Sequence, residues 1–277
     1  MVTHALTWQA SKSSSAPEVG AGISIVGRAE RPFGHATRQQ RLDGILEVGD
    51  TIWIMGRYQL LSPVAASLIG RIDIEAKTRE GNSVSFKASD KSFWLPWNDA
   101  GPIIGSIQSL GASENLPLRP RRLAQQLQTT KVLSSSSAES VTSFAEALRM
   151  RPVAFLSYSW SRSTDLLSTL LPLLSDLGFG VWVDRWSGPR RFKNEPDPLV
   201  EELLTRAVAK SALLISLTGD DSISRKWTDF EGAVADDLAK PMVMLLDNDL
   251  RHQLRTGDLR AFLKEKIKER FPAPAVI

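Results

Sequence analysis

Ser211–Leu238 reads SALLISLTGDDSISRKWTDFEGAVADDL, and its composition divides it into three. Ala212 to Leu217 is apolar but for Ser216, Thr218-Gly219-Asp220-Asp221 breaks the run, and Trp227 opens a periodic stretch. That order is buried strand, polar loop, helix. On the helix Trp227, Glu231, Val234 and Leu238 follow one another at intervals of four, three and four, so they share one face. The opposite face has Asp229, Gly232, Asp236 and Asp237. A carboxylate therefore stands on a stripe that is otherwise apolar, while other acids already keep the helix soluble. Glu231 is at the rim of that stripe, or paired with Arg225 or Lys226, or placed there for chemistry.

Outward from this stretch the pattern repeats. Strands are expected at Val153–Ser157 (VAFLS), Gly180–Asp184 (GVWVD) and Met242–Leu246 (MVMLL). Helices are expected at Thr164–Leu177, despite Pro172, at Leu199–Ala209 and at Leu259–Phe271. Strands that are apolar almost throughout and alternate with helices imply a parallel sheet covered on both faces. The expectation is a doubly wound, flavodoxin-like α/β fold. Such sheets gather ligands at the carboxyl ends of their strands, which here carry Ser157-Tyr158-Ser159-Trp160, Asp184-Arg185-Trp186 and Ser216-Leu217-Thr218. Ser157 to Arg162 has no glycine, which disfavours a Rossmann dinucleotide site.

The N-terminal half reads differently. Ile45–Arg57 (ILEVGDTIWIMGR) sets a Val-Gly-Asp turn before a β-rich run, Leu68–Lys77 alternates, and Arg79-Glu80-Gly81-Asn82 resembles a hairpin connection to Ser83–Lys87. This is a small antiparallel sheet or barrel. Phe93, Trp94 and Trp97 cluster around Pro96, and a helix-like stretch from Arg119 to Thr129 has Leu123 and Leu127 on one side, with Arg119, Arg121 and Arg122 near its start. Aromatics beside arginines form either a core or a cage for a planar anionic ligand. The small polar run ASKSSSAPEVGAG (10–22) places residues 1–22 in a flexible arm, with a β-rich sensor domain at 23–130. Four consecutive serines, Ser134–Ser137, mark 131–150 as a linker with a short helix at Ser140–Leu148, and 151–277 as a second domain.

Composition sets the bounds. With 277 residues, 42% of them apolar, the chain has enough material for one large or two ordinary cores. Without cysteine there is no disulfide scaffold, thiol nucleophile or thiolate site. His4, His35 and His252 are too scattered to chelate a metal. Met1 to Ser15 offers no apolar core for a signal peptide, and no run approaches a membrane span. A cytoplasmic protein is expected. A net charge of +3 permits anionic ligands without requiring nucleic acid.

Four boxes in order carry a resemblance. Phe155-Leu156-Ser157-Tyr158-Ser159, Gly180-Val181-Trp182-Val183-Asp184, the segment Leu199 to Ser211 leading into Leu213-Leu214-Ile215-Ser216, and Ser224-Arg225-Lys226-Trp227-Thr228-Asp229-Phe230-Glu231 resemble those of a Toll/interleukin-1 receptor (TIR) domain, over residues 152–271. The bacterial members of this family include enzymes that cleave NAD, and the resemblance implies that Glu231, on the tryptophan-containing helix, is the catalytic residue. The Val-Gly-Asp turn and tryptophan-rich strands of the N-terminal half faintly resemble PUA and EVE barrels, which implies a sensing role with a nucleotide or nucleic-acid ligand.

That implied chemistry is physically consistent. Breaking the bond between nicotinamide and ribose puts positive charge on the ribose, and a carboxylate in a poorly hydrated site stabilises it or orients the ribose hydroxyls. NAD is then substrate, and no cofactor is needed. Ser157, Tyr158, Trp160, Asp184 and Trp227 are expected around the substrate. Asp184 contacts ribose or caps its loop, and Trp182 lines the pocket or belongs to the core. Arg190, Arg191 and Lys193 in the loop Arg185–Pro198 meet the diphosphate or face water. TIR loops commonly have an acidic residue and a glycine soon after the aspartate, whereas here Gly188 comes early and arginines follow.

The expected function is a NAD glycohydrolase activated by self-association in a bacterial antiviral defence or signalling system. A non-catalytic TIR adaptor is one alternative. The other is a nucleotide-binding or nucleic-acid-binding protein that works through its N-terminal domain.

Overall fold

The computed structural model describes residues 2–9, 34–56, 66–111, 123, 125–127, 129–159, 163–183, 198–219 and 225–271. Trp160, Asp184, Arg119, Arg121, Arg122, the arm at 10–22 and the basic loop up to residue 197 lie outside them. The chain divides into two compact units, Met1–Met150 and Arg151–Ile277. No helix among the described residues is long and apolar enough to cross a membrane.

In the first unit the strands are β1 (His4–Gln9), β2 (Gly34–Thr37), β3 (Thr51–Gly56), β4 (Ser67–Glu80), β5 (Ser83–Ala88), β6 (Phe93–Trp94) and β7 (Lys131–Val132). They form one mixed sheet in the order β2-β5-β4-β3-β1-β7, with β6 also on β4. Gly81, at φ +56, makes the tight β4–β5 turn where the Glu-Gly-Asn sequence placed it. In the Val-Gly-Asp turn Gly49 takes φ +95. The Asp50 carboxylate accepts the Thr3 and Glu47 backbone N–H groups at 2.7 and 2.8 Å.

Two expectations fail here. Residues 4–9 are no arm: they form β1, inside the sheet between β3 and β7. The β1–β3 pairing is parallel, with His4 opposite Thr51 and Trp8 opposite Met55, so the sheet is not purely antiparallel. Nor is 131–150 a linker. Helix α2 (Ser135–Arg149), which follows the short α1 (Gly101–Ile104), packs Ala138, Val141, Ala145 and Leu148 into the core with Leu6, Trp53, Leu68, Leu123 and Leu127. Ser134 caps it by accepting the Ser137 N–H, and buried Ser137 accepts from the Gln108 N–H at 2.8 Å. Serine here is a cap and a small packing residue.

In the second unit β8 (Val153–Ser157), β9 (Gly180–Trp182), β10 (Leu213–Thr218) and β11 (Met242–Leu246) form a four-stranded parallel sheet in the order β11-β10-β8-β9. The helices are α3 (Thr164–Asp176), α4 (Pro198–Lys210), α5 (Arg225–Asp237), α6 (Asp247–Thr256) and α7 (Leu259–Arg270). Register aligns Trp182, Phe155, Leu214 and Met242 across the four strands. This row packs against Leu204, Ala207 and Val208 of α4 and Val234 and Ala235 of α5. α3 lies along β9, and α6 and α7 along β11.

The face of α5 is narrower than its sequence implied. Glu231 and Ala235 are buried, but Leu238 is 42% exposed. The helix has ended by then: Ala239 takes φ +49 and the Lys240 N–H returns to the Ala235 carbonyl at 2.8 Å, a Schellman closure. Lys240 then donates through Nζ to the Ala209 and Ser211 carbonyls at 2.6 and 2.8 Å, tying this end to the end of α4.

Candidate active site

The site begins where the apolar row runs out. Two positions beyond Phe155 and Leu214 on the same face stand Ser157 and Ser216, which are direct neighbours, with Met244 next to Ser216 on β11. Side chains two apart in a strand share a face, so both serines lie under α5 at the carboxyl end of the sheet. Glu231, in the middle of α5, comes down on Ser157, whose hydroxyl donates to its Oε2. Glu231 is 7% exposed and Ser157 1%.

This settles the rim reading of Glu231 against the rim. The side chains of Arg225 and Lys226, proposed partners, lie outside those described. A hydroxyl that donates to a carboxylate orients it without supplying an opposite charge, and in a site of low polarisability an ionised carboxylate acts strongly on any nearby cation. Such an arrangement can stabilise an electron-poor carbon or accept hydrogen bonds from a polyol.

Tyr158 follows at the end of β8 and is buried. Trp227, one turn before Glu231, is half-buried against the core and meets Phe230 edge-on at 6.0 Å. Trp182 belongs to the core: its ring stacks on Phe155 with centroids 4.5 Å apart and planes 12° apart. Of the expected site residues, Ser157 and Glu231 are brought together by their hydrogen bond, Tyr158 follows Ser157 in sequence and Trp227 stands one turn before Glu231 on α5, while Trp160 and Asp184 fall outside the described residues.

A second carboxylate was not singled out in the sequence. Asp247, directly after β11, is buried and accepts the Ser163 hydroxyl at 2.8 Å, while its Oδ1 is enclosed without a partner. The signal was there: an acid terminates the apolar run MVMLL just as a serine terminates VAFLS. Beside it Arg251 holds Asp165 through two bonds of 2.7 and 3.1 Å, which lowers the Asp165 carboxyl below its ordinary value. No group of three or more histidine, aspartate or glutamate side chains among the described residues is arranged to hold a metal ion.

In the first unit Trp97 is core, 1% exposed, and Trp53 is fully buried. Phe93 is half-buried between guanidinium groups, Arg149 at 4.2 Å and Arg71 at 5.9 Å from its centroid. Trp94 rests on Gly70, where an added Cβ would come within 2.9 Å of the ring. The Trp53 indole N–H donates to His4 Nδ1 at 3.1 Å. His35 of β2 reaches Thr130 at 3.3 Å, and Thr130 bonds Thr7 of β1 at 3.2 Å, so side chains bridge strands from opposite ends of the sheet order.

No family model matches this chain, and no curated protein matches it in sequence.

Proposed function

We propose that residues 151–277 form a TIR-type domain that cleaves NAD into nicotinamide and ADP-ribose or a cyclised ADP-ribose. The observation that carries this reading is the burial of Glu231 against the Ser157 hydroxyl at the carboxyl end of β8. The strand order supports it. Read as a flavodoxin-like sheet, β9-β8-β10-β11 has the second strand outside the first and the third and fourth on the other side. The boxes that carry the resemblance, so far as they are described, fall on β8, β9, the passage from α4 into β10, and α5.

In the reaction the bond from ribose C1′ to the nicotinamide nitrogen breaks and its electron pair returns to the ring, so the base leaves neutral. Water adds at C1′ and releases a proton. In the cyclised product an adenine nitrogen takes the place of water. Glu231 faces the positive charge that develops at C1′, and Ser157 fixes the carboxylate without neutralising it. The first unit, whose bridged sheet ends favour a barrel-like closure, is the sensor, and self-association is the switch.

The test is nicotinamide release from NAD by purified protein, wild type against Glu231→Gln, with crowding agents or candidate ligands added to promote assembly. The glutamine variant should lose about a hundredfold or more in rate while melting within a few degrees of wild type. Equal rates would overturn the assignment.

A further inference from the structure

Ser216 interrupts an apolar strand. Its neighbours Leu213, Leu214, Ile215 and Leu217 are buried, and Ser216 itself is 5% exposed. Among the described residues its hydroxyl makes no hydrogen bond, whereas that of Ser157, directly beside it on β8, is committed to Glu231. The Ser216 Oγ is not one of the fully enclosed unpartnered atoms, so it keeps some exposure, while Leu214 one row away on the same face is packed into the core. The strand thus presents an uncommitted donor and acceptor directly beside the Ser157–Glu231 pair.

We propose that Ser216 is a substrate-positioning residue of the Glu231 site, its hydroxyl bonding a ribose hydroxyl next to the scissile bond. The ligand class is a ribosyl group with a free vicinal diol. The Glu231 carboxylate only accepts, so it takes one hydroxyl of the diol. Ser216 both donates and accepts, and sits one strand away, about 4.8 Å, so it takes the other. An apolar or deoxygenated sugar leaves both unmatched. The inference rests on the NAD-cleaving reading for its substrate, and its test separates the two.

Wild type, Ser216→Ala and Ser216→Thr are compared as full chains. ADP-ribose affinity is measured by calorimetry, and nicotinamide release is followed from NAD and from its 2′-deoxy and 3′-deoxy nicotinamide-ribose analogues. Ser216→Ala is expected to weaken ADP-ribose binding and raise KM about tenfold. Its kcat should fall much less, and its preference for NAD over one of the analogues should disappear. Ser216→Thr should restore both. Unchanged affinity and unchanged preference in Ser216→Ala overturn the role of Ser216 while leaving NAD cleavage intact. Weakened ADP-ribose binding without any nicotinamide release by wild type upholds Ser216 and sinks the cleavage reading. Absence of ADP-ribose and NAD binding to wild type overturns the inference.

Discussion

The Ser157 hydroxyl donates to Oε2 of Glu231 across 74 positions of sequence, joining the end of β8 to the middle of α5 inside the protein. If that pair exists for chemistry, it costs stability that an apolar replacement would recover. Ser157→Ala alone removes a donor from a buried carboxylate and is expected to destabilise by about 1–3 kcal/mol. Ser157→Ala combined with Glu231→Leu removes both polar groups, and the double variant should be at least as stable as wild type in urea unfolding, with all NAD cleavage lost. A double variant less stable than both single ones would mark the pair as structural.

Trp182 stacks flat on Phe155, and the pair closes the row that α4 and α5 cover. Trp182→Ala should therefore cost about 3 kcal/mol of stability and Trp182→Phe about 1 kcal/mol. Neither should change KM for NAD in the folded fraction. A Trp182→Phe variant that melts like wild type but binds NAD tenfold more weakly would return this residue to the substrate pocket.

The second unit was legible because its strands are nearly continuous apolar runs. β8 and β11 begin and end where VAFLS and MVMLL do, and β10 differs by a residue. Glu231 stood out because one acid on an apolar face is a local anomaly. What escaped depended on distant partners. HALTWQ is a strand because Thr51–Gly56 lies parallel beside it, and nothing within six residues announces that. The serine run misled because composition ignores capping. Helix α6, DNDLRHQLRT, is so polar that its buried Leu250 gave no readable stripe. Leu238 kept the helical spacing but lies one residue past the end of the helix, inside the turn that Ala239 closes.

Ser134 caps α2, so Ser134→Ala should lower the stability of the protein by about 1 kcal/mol. Ser135→Ala, one residue on and exposed within the first turn, should be neutral or slightly stabilising, because alanine favours helix. Ser137→Leu should destabilise most of the three, since it removes the hydroxyl that accepts the Gln108 N–H and puts three more carbons into a buried position. Identical unfolding curves for all three variants would restore the serine run to the status of a linker.

His35 gives the first unit an acid sensitivity whose sign can be worked out. Burial lowers its pKa from 6.5 to about 4, so the native ring stays neutral while the unfolded chain takes up a proton near pH 6.5. Between those values the unfolded state binds more protons. The stabilising contribution is thus fully present above pH 6.5 and is lost as pH falls towards 4. Half-burial of the ring reduces the effect, so the expected loss between pH 7.5 and pH 5 is about 1–2 kcal/mol. His4, whose pKa is lowered by burial and by Arg71, adds a contribution of the same sign. Urea unfolding followed by tryptophan fluorescence at the two pH values should show that His35→Gln loses less stability than wild type over this interval. If the two proteins weaken by equal amounts, the His35 ring is not the group that titrates.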